Sequence, residues 1–224
     1  MSLARLRSVC DVSNWYRARG KRLCDAATAL VAIAVLSPVF ALLWILIQRL
    51  LGSPVLFRQE RPGLHGQTFT LIKFRSMLAA ADQRDGPLSD EARLTPFGRA
   101  LRSTSLDELP ELWNVVRGDM SLVGPRPLLR QYLKRYTPEQ ARRHEVRPGI
   151  TGWAQVNGRN ALSWEGRFKL DVWYVDNLSW LLDVKILALT VWKILSREGI
   201  SSPGLATMHE FQGAEGESPA SQKD

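Results

Sequence analysis

The chain has 224 residues, which fits one domain with a modest core plus an accessory segment, and no second independent domain is expected. Its 30 Lys and Arg against 22 Asp and Glu give a formal net charge of +8, pointing to nucleic acid, an anionic bilayer surface or phosphorylated substrates as partners. Cys10 and Cys24 are its only cysteines, which excludes a disulfide framework, and neither has a neighbouring His or Cys to suggest a metal site.

Ala26 to Ile47 is a run of 22 residues without a charge. As a helix it would reach about 33 Å, enough to cross a bilayer. It is longer than a signal-peptide core and lacks a small-residue cleavage site, so it should stay in the mature chain. Ser37-Pro38 lies at its middle, where a proline removes one backbone hydrogen bond and kinks the axis. Arg5, Arg7, Arg17, Arg19, Lys21 and Arg22 precede the run, and Arg49, Arg58, Arg61, Lys73 and Arg75 follow it. Positive charge on both sides puts both ends at the cytoplasmic face. Together these features predict a re-entrant helix-break-helix hairpin, with the Ser37 hydroxyl serving a carbonyl that Pro38 leaves free. A single span with a tolerated proline is the alternative.

Two short strands joined by a Gly/Pro turn are expected in Gly52 to Met77, with Lys73 and Arg75 on one face of the second. Such a cation pair suits a diphosphate, or simply a solvated strand face. Asp82 to Glu91 reads as a loop, a lid or a plain connector. Thr95-Pro96 should cap and start a short helix on which Arg99 and Arg102 share a face directed at the acids that follow.

Those acids are Asp107 and Glu108, in Arg102-Ser-Thr-Ser-Leu-Asp-Glu-Leu-Pro110. Ser105 and Glu108 have the spacing of a capping box, which would make the pair a helix start and nothing more. The other reading begins from Pro110, which pins the helix start near Asp107 and its free N–H groups. A carboxylate beside bound phosphate makes sense if it attacks phosphorus or shares a magnesium ion with phosphate oxygens. Leu106, Leu109, Leu112, Trp113 and Val116 should form the buried side of that helix. Val123-Gly-Pro-Arg126-Pro cannot be helical, and an arginine held between two prolines suits bidentate phosphate recognition.

Gln131 to Glu145 reads as a solvated charged helix. Val146 to Asn160 reads as a binding loop or irregular β segment, with Asn157-Gly158 a possible hairpin turn. Trp164 to Leu178 should be an amphipathic helix. Leu181 to Leu195 is too polar and short to span, and lies either in the headgroup layer or in the core. Gln212 to Asp224 has the composition of a disordered tail.

These motifs, in order, resemble the monotopic phosphoglycosyl transferases, the bacterial sugar-transferase family. The resemblance covers residues 20 to 212 and rests on Lys21-Arg22-Leu-Cys-Asp25, Ser37-Pro38, Arg61-Pro-Gly, Lys73-Phe-Arg75-Ser-Met, the Asp107-Glu108 stretch, Gly118-Asp-Met-Ser-Leu-Val-Gly-Pro-Arg126-Pro and Arg147-Pro-Gly-Ile-Thr-Gly-Trp-Ala-Gln-Val-Asn-Gly-Arg159. Within the family the chain looks like the small members that use N,N′-diacetylbacillosamine phosphate, helped by Thr207 to Gly213.

The resemblance implies an α/β, helix-rich fold: a membrane hairpin within residues 1–51, a catalytic domain with short strands and interfacial helices over 52–211, and a tail over 212–224. It implies a bacterial inner-membrane enzyme working from one leaflet at the cytoplasmic face, with a UDP-sugar and polyprenyl phosphate as substrates and no nucleic acid. Asp107 would attack the β-phosphate, release UMP and carry the phosphosugar to the lipid; Glu108 would support that chemistry. Magnesium is the implied cofactor, with Asp107 its protein contact. Lys73, Arg102, Arg126 and Arg147 are the expected phosphate clamp, an assignment resting partly on spacing. A hexose 1-phosphate transferase would share all these residues. A non-catalytic basic membrane module would need neither the acidic pair nor the Pro-Arg-Pro segment.

Overall fold

The computed structural model describes residues 15–78, 93–158, 162–196 and 210–213. The expected lid over Asp82 to Glu91, Arg159 and Asn160, Thr207 to His209 and the tail beyond Gly213 lie outside the described residues.

A π-helical turn, Tyr16–Gly20, runs directly into α1, Lys21–Leu50. Among the described residues α1 is the helix long and apolar enough to cross a membrane. Its backbone stays helical through Ser37-Pro38, so the expected break between two half-helices is a proline inside one helix. The reason is local: Ser37 Oγ donates to the Ala34 carbonyl at 2.8 Å, the acceptor that Pro38 leaves without an N–H. Lys21, Asp25, Ala29, Leu43 and Ile47 are buried, with Ala32, Ile33, Val39 and Phe40 partly buried between them. That three-to-four-residue spacing makes one continuous stripe, packed on the rest of the protein from one end of α1 to the other. Leu30, Val31, Val35, Leu42 and Ile45 on its other side are exposed. A contiguous apolar face of this size marks contact with lipid or another apolar surface.

Strands β1, Leu56–Pro62, and β2, Thr68–Phe74, form the expected antiparallel hairpin, with Phe57 opposite Lys73 and Arg61 opposite Phe69. Helix α2, Pro96–Ser103, starts as predicted, with the Thr95 side chain accepting from Gly98 N at 3.0 Å. The acidic pair then sits in a 3-10 turn, Leu106–Glu108, and α3, Glu111–Arg117, begins only after Pro110. No capping box forms: Ser105 is left-handed (φ 56°) and its side chain caps nothing.

The buried residues of α3 are Glu111, Leu112, Asn114 and Val115, while Trp113, expected in the core, is exposed. Asn114 explains part of the change. Its Oδ1 accepts from Ile72 N at 3.1 Å and its Nδ2 donates to Thr70 O at 2.8 Å, so one amide pairs the free edge of β2 as a neighbouring strand would.

Strands β3, Ser121–Val123, and β4, Gly149–Thr151, pair in parallel as a second two-stranded sheet. They approach so closely that a Cβ at Gly149 would lie 2.1 Å from Gly124 N, which explains glycine at that position. Gln131 to Glu145 is not one solvated helix. It is a 3-10 segment, Arg130–Arg135, a single turn α4, Pro138–Ala141, and another 3-10 turn, Arg142–His144. Arg143 is fully enclosed and binds Asp171 at 2.7 Å, which a solvated helix would not allow. Asn157-Gly158 ends α5, Trp153–Val156, and forms no hairpin.

Helix α6, Trp164–Asn177, packs Phe168 among Tyr132, Leu128 and Phe211, which brings the 210–213 segment back onto the domain. Helix α7, Trp180–Ser196, buries Asp183 and Ile186 but exposes Trp180, Leu181, Val184, Val191 and Trp192. One face of this run thus packs in the core, and the other is left apolar and exposed. Asp183 joins the end of α1 to α6: it accepts from Tyr16 at 2.7 Å, Lys21 at 2.6 Å and Tyr174 at 2.7 Å.

Candidate active site

A cleft of 1760 Å³ opens between the β1–β2 hairpin, the acidic turn, the loop after β3 and one wall of α1. Asp107, Glu108, Lys73, Arg102 and Arg126 all line it, while Arg147 does not. The Arg147 Nε instead donates to the Gly118 carbonyl at 2.8 Å, so this arginine braces the end of α3 and is not brought to the cluster. Ser37 and Pro38 are not in the lining either; α1 contributes Ala32, Leu36, Trp44 and Gln48.

The two carboxylates have different surroundings. Glu108 Oε1 lies 2.5 Å from Arg126 Nη2 and 2.9 Å from Lys73 Nζ. Burial pushes its pKa up, but Arg126 and Lys73 outweigh that and hold it below the usual carboxylate range. Asp107, buried at 8 % exposure, has no hydrogen bond or ion pair among the described residues. Burial first, then the neighbouring Glu108 charge, push its pKa up to about 6, against the pull of Lys73, Arg126 and Arg102. Near neutral pH it is still an anion, and an unshared one. An ionised carboxylate with free lone pairs, facing a cavity lined by cations, is equipped to attack an electrophilic phosphorus or to ligate a hard cation.

Lys73 reaches the site from β2 and is shared equally, 2.9 Å from Glu108 and 2.9 Å from Glu111. Glu111 was not singled out from the sequence, although its distance of three residues from Glu108 places both acids on one side of the turn. Burial and the charge of Glu108 push its pKa up. Asn114, by pinning α3 to β2, sets the separation of Lys73 from both acids. Arg102 donates from Nε to Ser76 Oγ at 2.9 Å, which fixes it beside the cleft. Arg75 lines the cleft as Lys73 does but turns its Nη donors to main-chain carbonyls, and Arg99 leaves the expected cation face. Arg75 donates to Ser53 O and Leu51 O, closing the end of α1, and Arg99 donates to Leu94 O.

Among the described residues no group of three or more His, Cys, Asp or Glu forms a protein-only metal cage. Magnesium does not need one, since it commonly takes one or two carboxylates and completes its shell with substrate phosphate and water. The unpartnered Asp107 carboxylate fits that mode.

Known proteins resemble this chain along most of its length. It is 55% identical over 194 residues to the uncharacterized sugar transferase EpsL of Bacillus subtilis, covering 87% of this chain and 96% of that one. It is 40% identical over 196 residues to the UDP-galactose-lipid carrier transferase of Erwinia amylovora, covering 80% of this chain and 41% of that protein. Over 189 residues it is 38% identical to the UDP-glucose:undecaprenyl-phosphate glucose-1-phosphate transferase of Xanthomonas campestris pv. campestris, covering 80% of this chain and 39% of that one. The chain thus spans about two-fifths of the length of these last two relatives. Residues 16–197 match the family described as bacterial sugar transferase, a stretch that holds α1, both hairpin strands and every residue of the cleft named above. The chain belongs to the bacterial sugar transferase family.

Proposed function

We propose that this protein transfers a sugar 1-phosphate from a UDP-sugar to polyprenyl phosphate in two displacements, with Asp107 as the nucleophile. The observation that carries this reading is the inequality of the acidic pair: Glu108 is bound by two cations, and Asp107 is unpaired in the same cleft. In the first displacement an Asp107 oxygen forms a bond to the β-phosphorus, and the bond from that phosphorus to the bridging oxygen breaks. UMP leaves with the bonding electrons, stabilised by the surrounding cations. In the second, an oxygen of the polyprenyl phosphate attacks the same phosphorus. The Asp107 carboxylate departs and the lipid-linked diphosphate sugar is released.

Glu108 acts in this scheme as a fixed anion that orients Lys73 and Arg126. A carboxyl held below its usual pKa is a weak base, and a phosphate monoester with a second pKa near 6 is already largely dianionic at neutral pH. Asp107 would also hold the magnesium ion that the resemblance implies, together with oxygens of the substrate phosphates. When bound, that ion offsets the repulsion between an anionic nucleophile and an anionic diphosphate.

The names of the relatives favour a neutral hexose or an N-acetylhexosamine as the sugar, since they specify galactose, glucose and N-acetylgalactosamine. N,N′-Diacetylbacillosamine remains one member of the panel to be tried. For the membrane, the stripe of α1 packed on the domain along its whole length favours a helix that enters and leaves by one face, because a perpendicular span would leave the domain at the bilayer surface. The exposed Trp180, Leu181 and Trp192 of α7 suit the headgroup layer of that face.

The test is a set of UDP-sugars with magnesium and no lipid acceptor. Up to one UMP per active site should be released from the correct donor, leaving a phosphosugar adduct on Asp107 by intact-protein and peptide mass spectrometry. Asp107→Asn should abolish both signals. An adduct on Glu108 would reverse the assignment, and UMP release that strictly requires the lipid would favour direct attack in a ternary complex.

A further inference from the structure

Glu111 is a buried acid for which the two displacements give no task. It is 2 % exposed and stands outside the cleft lining, while Lys73 is part of that lining. Its Oε1 lies 2.9 Å from Lys73 Nζ, and the same ammonium lies 2.9 Å from Glu108 Oε1. Enclosing a second carboxylate beside one lysine is costly. Burial first, then the charge of Glu108, push the Glu111 pKa up to about 7 against the pull of Lys73 and Arg126, so its negative charge is complete only above neutral pH.

The fold holds this acid in place. Glu111 and Asn114 are three residues apart on α3 and share a face of it. The Asn114 amide bonds Ile72 N and Thr70 O on β2, the strand that carries Lys73. Helix and strand are thereby fixed to each other, and the Glu111 carboxylate is kept against Lys73.

The charges show what this contact does. Glu108 alone faces two cations, Lys73 and Arg126. With Glu111 added, two carboxylates face two cations and the group is balanced. Without it the group would carry one surplus positive charge, and Asp107, next to Glu108 and unpaired, is an anion that this surplus would attract. Lys73 is the member able to respond, since its ammonium rides on a flexible four-carbon stem. It already acts on Asp107 from a distance, opposing the rise of the Asp107 pKa.

We infer that Glu111 is a positioning residue, which holds Lys73 beside Glu108 and so keeps the Asp107 carboxylate unshared and free to attack. The inference rests on the function proposed above and adds to it the residue that preserves the inequality of the acidic pair. Glu111 touches no substrate in this scheme and acts through Lys73.

The first test is thermal stability near pH 8, without substrate. In the parent, Asp107→Asn removes a buried, unpaired charge and should raise the melting temperature by about 2–4 °C. In Glu111→Gln, where Lys73 can turn to Asp107, the same Asp107→Asn change should lower it by a similar amount. Adding Lys73→Met to Glu111→Gln should abolish that reversal. A gain of equal size in both backgrounds, or a reversal that survives Lys73→Met, would overturn the inference. If Glu111→Gln does not fold, Glu111→Met, apolar and of similar volume, takes its place in the same comparison.

The second test is release of UMP from the donor without lipid. It should be about 10-fold slower or more in Glu111→Gln, because a charge-assisted hydrogen bond to Asp107 must break before attack. Glu111→Asp keeps the charge on a shorter arm and should recover part of the rate. An unchanged rate in folded Glu111→Gln would also overturn the inference. Failure of every UDP-sugar to release UMP would sink the proposed function, and the melting comparison, which uses no substrate, would still decide whether Glu111 holds Lys73.

Discussion

Arg126 Nη2 and Glu108 Oε1 lie 2.5 Å apart, and this contact leaves Asp107 as the unshared carboxylate of the acidic pair. Arg126→Lys keeps the charge but loses the planar fork that can hold Glu108 and a phosphate together. We expect kcat/KM to fall by about 10- to 100-fold, equivalent to roughly 1.5–3 kcal/mol for a hydrogen bond to a charged group, with little change in melting temperature. Activity close to the unmodified enzyme would show that charge alone suffices there.

The Ser37 hydroxyl serves the one carbonyl that Pro38 orphans, so these two residues together keep the helix continuous across the proline. Replacing both, Ser37→Ala with Pro38→Leu, restores the missing N–H and should favour a spanning arrangement of α1. Cysteine labelling at Ser2 and Gln222 in sealed inverted vesicles reads the outcome. Both sites should be equally accessible in the parent and oppositely accessible in the double variant; opposite accessibility in the parent itself would refute the re-entrant reading.

His144 lies against the β1–β2 turn with its Nδ1 3.2 Å from the Gly63 carbonyl, so the neutral ring donates there. Burial, and then the charge of Arg143, push its pKa down from 6.5 to about 4. The folded protein thus takes up a proton less readily than the unfolded chain. This contribution to stability is complete above pH 6.5 and is lost as the pH falls toward 4. Between pH 7.5 and 5 the loss should be about 2 kcal/mol, measured by urea unfolding in detergent. His144→Asn should be less stable at pH 7.5 and should show a shallower acid dependence, and an unchanged slope would assign that dependence to other groups.

Asp183 accepts from Tyr16, Lys21 and Tyr174, and through them fastens the start of α1 to α6 and α7. Asp183→Ala leaves the buried Lys21 with Asp25 alone, 3.5 Å away. Removing one partner of a buried pair typically costs about 3–5 kcal/mol, so a fall in thermal stability of that size is expected. A loss below about 1 kcal/mol would mean that water already reaches this junction.

Several features were legible in the chain itself because their causes are local. The uncharged run of α1, the alternation of β1 and β2, the Thr95-Pro96 helix start and the non-helical Pro-Arg-Pro segment each follow from neighbouring residues, and each stands where expected. Asp107, Glu108, Lys73, Arg102 and Arg126 could be selected by charge and spacing, and the structure brings them to one cleft. Tertiary structure alone decided how they divide. No rule of spacing says that Lys73, 35 residues before Glu108, neutralises it and spares Asp107. Nor does any such rule direct Arg147 to Gly118 or hide Arg143 against Asp171. The physical reason is the range of the interactions. Caps, turns and amphipathic periodicity are written over a few consecutive residues, but an ion pair's worth and a carboxylate's pKa depend on burial and on charges brought together from distant parts of the chain.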